Sequence, residues 1–320
     1  MARVAIVIVT YNSGAEIGGC LEALAREPEA EILVVDNASA DNTREVVRNA
    51  NVRLIANPTN RGFAAAINQG IGETTAPLIL LLNPDAHLLT GLSALAARLV
   101  PPVAYAGGLL LDLRGQPQTG FMVRRLPTAA ALAFEVLGLN RLFPRNPVNW
   151  HYRCMEMNPM TPGVAEQPAG AFLMFSRQAW LEVGGLDERF TPTWFEDVDF
   201  CARLKRAGYL GVYEPAAQAR HSGGHSFTTV GAAIRRKNWY GNLLEYAARH
   251  FGIIGFRVVC AAVVTGALLR AVIGWPRNGS KAFRIYGGVL QVALVRLFTS
   301  RTHVTTVAEQ KCEKSGSREY

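Results

Sequence analysis

No cysteine in the 320 residues has a close partner. Cys20, Cys154, Cys201, Cys260 and Cys312 stand singly, no CxxC occurs, and the number is odd. These absences exclude a disulfide framework and favour a reducing compartment. Three nucleotide and acyl-transfer signatures are also missing. Where GxGxxG would follow a first strand the chain reads TYNSGAEIGG, and neither GxxxxGK[ST] nor GxSxG occurs. A Rossmann oxidoreductase, a P-loop protein and a nucleophile-elbow hydrolase are thereby excluded. The apolar run Val4 to Val9 is too short for a signal-peptide core and lacks a small-residue cleavage site, so it is expected to be the first strand. Nor is there a charge-free stretch of about 20 residues. Arg257 and Arg270 leave only twelve residues between them, and Ile253 to Trp275 could span a membrane only with both arginines reaching outward.

What is present is a chain with 49% hydrophobic and 18% charged residues, enough for one large core or two modest ones. The net charge of +8 is concentrated in one region. Arg220 to Arg301 carries twelve Lys and Arg against Glu245 as the one acid, so this segment is +11 and the remainder −3. The same third holds the apolar runs Val258 to Leu269 and Ile285 to Val295. Cations interleaved with apolar residues point to helices lying on an anionic membrane surface. The alternatives are a membrane span, core helices with solvated arginines, and a phosphate-tracking nucleic-acid patch. No RNA or DNA module signature accompanies the basic region, and no nucleic-acid partner is expected.

The first hundred residues alternate short apolar runs with helical patterns. Strands are expected at 4–10, 31–36, 52–57 and 78–82, with helices at 15–26, 42–49 and 63–71, the second introduced by Ser39 or Asp41. This alternation predicts an α/β protein with a parallel sheet covered on both faces. A further strand is expected from Pro101, another over 170–176, a short helix after it, and a helix through FEDVDFCARLKRAGY with acids in its first turn. The proline- and methionine-rich stretch 146–162 is expected to be a mobile cover.

Ligands of parallel sheets bind beyond the carboxyl ends of the strands. The polar clusters fall there: Thr10, Tyr11 and Asn12; Asp36 and Asn37; Asn57 to Gly62; Asn83 to Asp85. Carboxylates at successive strand ends suit a metal-bound diphosphate plus a base or ribose contact.

VIVTYN, VVDNASADNT, NPTNRGFAAAINQGI, LLLNPDA, GAFLMFSRQAWLEVGGLDERF, WFEDVDFCARLKRAGY and RHSGGHS, in this order over residues 3 to 245, resemble the family 2 inverting glycosyltransferases of the GT-A fold. The likeness is greatest to the rhamnosyltransferase-like branch that builds bacterial surface polysaccharides. The resemblance implies a mostly parallel nucleotide-binding sheet flanked by helices. It divides the chain into a GT-A domain over 1–245, with a nucleotide-sugar half to residue 100 and an acceptor half after it, and a basic, apolar, membrane-associating helical tail over 246–320. Thr10, Tyr11, Asn12, Asp36 and Asn37 would hold the nucleotide and Arg61 and Gly62 would lie near its diphosphate. NPD is a variant of the metal-binding DxD, with Asn83 in place of the first aspartate and Asp85 as ligand. His221, rather than His225, would complete the shell of a Mg²⁺ or Mn²⁺ ion. Asp197 would be the base, and Gly170, Trp194, Glu196 and Asp199 would meet the acceptor.

The implied reaction moves a sugar from a nucleotide-diphosphate sugar to a saccharide or lipid-linked acceptor, with dTDP-rhamnose the first candidate donor ahead of UDP- and GDP-sugars. The enzyme would be cytoplasmic and peripheral on the inner face of the cell membrane, with homo-oligomerisation open. Each residue also has a plainer role. Asp36 and Asp85 fit turns or caps, and the three acids of the FEDVDF helix complement its dipole. A nucleotide-sugar-binding protein without turnover and a membrane-surface or nucleic-acid adaptor are the competing functions.

Overall fold

The computed structural model describes residues 3–223 and 232–298; His225, Arg301 and Cys312 lie outside the described residues. The first half winds as expected. The elements are β1 (Val4–Thr10), α1 (Ile17–Leu24), β2 (Glu31–Asp36), α2 (Thr43–Asn49), β3 (Arg53–Ala56), α3 (Phe63–Gly72) and β4 (Leu78–Leu82). All seven residues of β1 are buried, as a strand covered on both faces requires. The strands pair in parallel in the order β3-β2-β1-β4. At the N-terminus of α2, Asp41 accepts from the Thr43 amide and hydroxyl, whereas the Ser39 hydroxyl turns back to the Asn12 amide.

Beyond β4 the chain makes β5 (Ala86–Leu88), α4 (Ser93–Ala97), β6 (Val103–Leu111), β7 (Val123–Arg124), α5 (Ala129–Leu137), α6 (Leu139–Leu142), α7 (Pro147–Tyr152), β8 (Gly163–Val164), β9 (Gln167–Pro168), β10 (Phe172–Ser176), α8 (Arg177–Glu182), α9 (Glu196–Arg206) and β11 (Leu210–His221). The sheet continues β4-β10-β6-β11-β5. The sheet is mixed and mostly parallel, as expected: β10 runs antiparallel to both β4 and β6, and β5 antiparallel to β11. A separate ribbon pairs β7 with β9. The stretch expected as a mobile cover instead holds α7, capped by the Asn146 side chain and anchored by buried Asn149 and Tyr152.

Three helices complete the described chain: α10 (Ala232–His250), α11 (Ile253–Asn278) and α12 (Ser280–Phe298). Two core clusters lie against the sheet, and a third joins α5 and α9 to these helices through Leu132, Val198, Leu244, Val263 and Val289. A division at 245/246 therefore falls inside α10, and the tail shares a core with α9. Glu245 binds both Arg249 and Arg296, tying α10 to α12. Arg270 turns inward to the carbonyl of Val136 at the end of α5. The outer side of α11 stays apolar and exposed, with Ile254 77%, Val272 61% and Ile273 68% accessible.

Candidate active site

The ends of β1 and β2 are cross-linked by short polar side chains. Asp36 is fully buried, accepts from Thr10 Oγ1 at 3.2 Å and the Ser39 amide at 3.0 Å, and pairs with Arg44 Nε at 2.5 Å. The turn role weighed for Asp36 is thus one that its side chain performs. Asn12, in the left-handed region at φ 52°, accepts from the Ala40 amide. Asn37 donates to the Gly62 carbonyl and accepts from the Arg61 amide, both at 3.0 Å. Gly62 needs to be glycine, since its φ is 88° and a Cβ would stand 3.0 Å from Thr191 Oγ1. The Arg61 side chain is exposed. Of this group, Tyr11 and Asn37 line a cavity at the strand ends, while Thr10, Asn12, Asp36, Arg61 and Gly62 are not among its lining residues.

Asn83, Pro84 and Asp85 turn the chain from β4 into β5, with the Ala86 amide closing on the Asn83 carbonyl at 3.0 Å. β5 pairs antiparallel with the end of β11, Ala86 opposite His221. That register brings together two residues 136 positions apart in sequence: Asp85 Oδ1 lies 3.4 Å from His221 Nε2. Asp85 Oδ2 accepts from the Gly223 amide at 2.9 Å. Burial opposes ionisation of Asp85, but the His221 hydrogen bond and charge and the Gly223 amide outweigh it, so the carboxyl is held below its usual range. His221 Nδ1 lies 3.0 Å from Gln118 Oε1. A proton on Nδ1, held by Gln118, leaves Nε2 as the nitrogen that can give up its proton and ligate a cation on Asp85's side. A carboxylate and an imidazole nitrogen converging on one point fit a divalent cation whose remaining positions are filled by ligand phosphate and water. Among the described residues no third His, Cys, Asp or Glu joins them. Asn83 Nδ2 is 3.5 Å from His221 Nε2.

The opposite wall is built by α9 and the β7–β9 ribbon. Asp197 Oδ2 accepts from the Gly170 amide at 3.1 Å and Gln167 Nε2 at 3.3 Å, and Oδ1 from the Val198 amide at 2.8 Å. A Cβ on Gly170 would lie 3.1 Å from Asp197 Oδ2, so glycine is what lets that amide reach the carboxylate. Glu196 is also buried; Thr193 Oγ1 donates to its Oε1 at 3.3 Å, and among the described residues its Oε2 has no partner. Burial first, then the charge of Asp197, push Glu196 up to about 8. Burial raises Asp197 too, but its three N–H donors favour the ion. With three N–H donors on Asp197 against one hydroxyl on Glu196, Asp197 is the more acidic of the two and Glu196 the stronger holder of a proton.

Asp199 is not part of this wall. It is fully buried on the far side of α9, 2.7 Å from Arg203 Nε and 2.8 Å from His250 Nε2, which corrects its expected acceptor role to a structural one. Asp199 lies about 160° round the axis from Asp197 but only about 60° from Glu196; one turn farther along α9, it is taken up by Arg203 and His250. Trp194 and Phe195, at φ 80° and 73°, hold a strained bend before α9. Asn242 on α10 donates to the carbonyls of Thr193 at 2.8 Å and Trp194 at 3.2 Å. Neither Asn242 nor Gln118 carried a sequence signal, because each acts only on residues distant in the chain.

One cavity of about 600 Å³ joins both walls, lined by Tyr11, Asn37, Asn83 and His221 on one side and Gly170, Trp194, Glu196 and Asp197 on the other. The profile described as "Glycosyl transferase family 2" matches residues 5–101, and that described as "Glycosyl transferase family group 2" matches residues 116–305. The N-acetylglucosaminyl-diphospho-decaprenol L-rhamnosyltransferase of Mycobacterium tuberculosis is 30% identical over 301 residues, 87% of this chain and 90% of the relative. The chain belongs to glycosyltransferase family 2, on its rhamnosyltransferase-like branch. Solved structures add the GT-A fold to that family assignment. The mannosyltransferase PcManGT from Pyrobaculum calidifontis, in complex with GDP-Man and Mn²⁺, aligns at TM-score 0.53 with 16% identity, over 93% of this transferase and 87% of its own chain. TarS residues 1–349 from S. aureus, in complex with UDP-GlcNAc, aligns at 0.55 with 15% identity, over 92% and 81% respectively.

Proposed function

We propose that this glycosyltransferase moves a sugar, with L-rhamnose from dTDP-rhamnose the first candidate, from a nucleotide-diphosphate sugar to a hydroxyl of a saccharide or polyprenyl-diphosphate-linked acceptor, inverting the anomeric configuration in cell-surface polysaccharide synthesis. The observation that carries this reading is one cavity with the Asp197 carboxyl on one wall and the Asp85–His221 side on the other. The likeness to the mycobacterial rhamnosyltransferase supports the donor and acceptor class.

In this reading Tyr11 and Asn37 contact the nucleotide from the cavity wall, while Thr10, Asn12 and Asp36 act by fixing the β1 and β2 loops. The Gly62 bend positions the start of α3, with Arg61 near the diphosphate. Asp85 and His221 would hold Mg²⁺ or Mn²⁺, which when bound offsets charge on the leaving diphosphate. Asp197 accepts the acceptor's hydroxyl proton as that oxygen attacks the anomeric carbon from the face opposite the leaving group. Its three N–H donors keep one lobe of the carboxylate aimed into the cavity. Protonated Glu196, adding no second negative charge, leaves Asp197 as the base, and Trp194 supplies an aromatic face for a sugar ring.

α11 is long and apolar enough to cross a membrane, but one side of it is committed to the core shared with α5 and α9. The reading that fits is a helix lying on the cytoplasmic face with Val272 and Ile273 outward. The deciding experiment offers the purified protein dTDP-rhamnose, UDP-sugars and GDP-sugars with short saccharide and lipid-linked acceptors, in Mg²⁺, Mn²⁺ or EDTA, and measures released nucleotide diphosphate. Acceptor-dependent release with one donor supports transfer. Nucleotide-sugar binding without release from any donor would make the protein a binding protein.

A further inference from the structure

Arg124 has no part in the reaction as derived so far, yet it lines the cavity. It sits on β7, opposite Gln167 in the ribbon, and Gln167 contacts Asp197. Its neighbours among the arginines are neutralised, Arg125 by Glu156 at 2.6 Å and Arg153 by Glu135 at 3.3 Å. Arg124 spends its Nε on the Gly120 carbonyl at 2.9 Å, and among the described residues no carboxylate pairs with its two terminal nitrogens. The guanidinium is held instead by two rings, with Cζ 5.7 Å from the centroid of Phe121 and 5.9 Å from that of Tyr152. Such a group is immobilised and still charged, with two donors left for a fork-like contact to phosphate oxygens.

Its place separates it from the donor's diphosphate. Phe121 stacks on His221, centroids 5.3 Å apart and planes within 7°, so an aromatic ring stands between Arg124 and the Asp85–His221 pair. The same cavity is also lined by Leu132, Phe195 and Trp239, interleaved with the polar Glu135, Arg153 and Asn238. Leu132 is carried there by α5 and Trp239 by α10, two helices that pack against α11.

We infer that Arg124, clamped between Phe121 and Tyr152, binds the diphosphate of a prenyl-diphosphate-linked acceptor whose sugar hydroxyl reaches Asp197 and whose lipid leaves along the Leu132–Trp239 wall. The inference rests on the glycosyl-transfer reading above and adds the group that recognises the acceptor's anion.

Two measurements on the full chain test it. In EDTA, which removes a metal-held diphosphate from consideration, binding of farnesyl diphosphate is compared with binding of farnesol. The wild type prefers the diphosphate, R124Q loses that preference on the order of 10- to 100-fold, R124K loses part of it, and R114Q, an exposed control, behaves as the wild type. No preference in the wild type, or an undiminished one in R124Q, overturns the inference. In the transfer assay, R124Q raises KM for a diphosphate-linked acceptor far more than for the neutral alkyl glycoside of the same saccharide, and donor KM changes less than twofold. A donor KM that rises instead would assign Arg124 to the donor and overturn the inference. If the wild type transfers sugar to neither acceptor, the glycosyl-transfer reading fails, and the binding comparison still decides whether Arg124 holds a prenyl diphosphate.

Discussion

Glu196→Gln is a substitution whose effect on stability changes with pH in a way that a merely structural role would not produce. The wild-type carboxyl is buried against Asp197 and pushed from an ordinary 4.5 up to about 8. The folded protein therefore binds a proton that the unfolded chain releases anywhere between those values. By linkage, this group's contribution is fully present below about 4.5 and is lost as pH rises through about 8, at up to about 1.4 kcal/mol per pH unit. The whole interval is worth roughly 5 kcal/mol as a ceiling, because water entering the cavity would solvate the ion. Gln keeps the shape and the neutral charge of the protonated acid and does not titrate. Urea unfolding of both proteins at pH 5, 6, 7 and 8 should therefore show E196Q gaining on the wild type step by step, with the largest margin at pH 8. Adding Asp197→Asn should shrink that margin, since it removes the second cause of the raised value. A margin that is flat across the four pH values would refute the account of Glu196 as the protonated partner.

Asp197→Asn should lower turnover by a factor on the order of 10² or more with nucleotide-sugar affinity unchanged, read by transfer rate and donor titration. Asp85→Ala and Asp85→Asn should both abolish the response of activity to added Mg²⁺ or Mn²⁺ while the melting temperature stays close to the parent's; a parental metal response would move the metal elsewhere. Gln118→Ala, which frees His221 Nδ1, should weaken metal affinity about 10-fold or more, measured by titrating Mn²⁺. Asp199→Asn should act on stability, at about 3–5 kcal/mol for breaking a buried ion pair, visible as a lowered melting temperature. Val272→Glu with Ile273→Glu should release the protein from anionic vesicles with stability changed by less than about 1 kcal/mol, whereas deleting 251–320 removes part of the third core and should leave insoluble protein.

The parallel half was legible because each of its signals is local. The strands 4–10, 31–36 and 78–82 are continuous apolar runs that end where the polar clusters begin, and their ends agree with β1, β2 and β4. β5, β7, β8 and β9 were not legible. Each is two or three residues long, too short to carry a period, and exists only through pairing with a distant strand. The same reason hid Gln118, Arg124 and Asn242. Asp199 misled because three acids in four residues look alike in sequence, and only their place on the helix tells the cavity side from the core side. The tail misled in another way, since its apolar content divides between side chains exposed on α11 and side chains in the core it shares with α9, which composition alone does not separate.

The pairing of β5 with β11 also governs which changes in chain length this protein tolerates. Asp85 and His221 meet because three residue pairs are in step, and side chains alternate faces along a strand. One residue added or lost within 86–88 would turn His221 away from Asp85 while leaving both ligands in the sequence. β11 slips its register against β6 between Glu214 and Gln218, so a length change absorbed in that irregular stretch leaves the Asp85–His221 register intact. A survey of variants by residue identity alone would score both kinds of change as harmless. Insertion scanning along 214–221 should instead show a sharp boundary, tolerant on the bulge side and intolerant where the ladder to β5 begins.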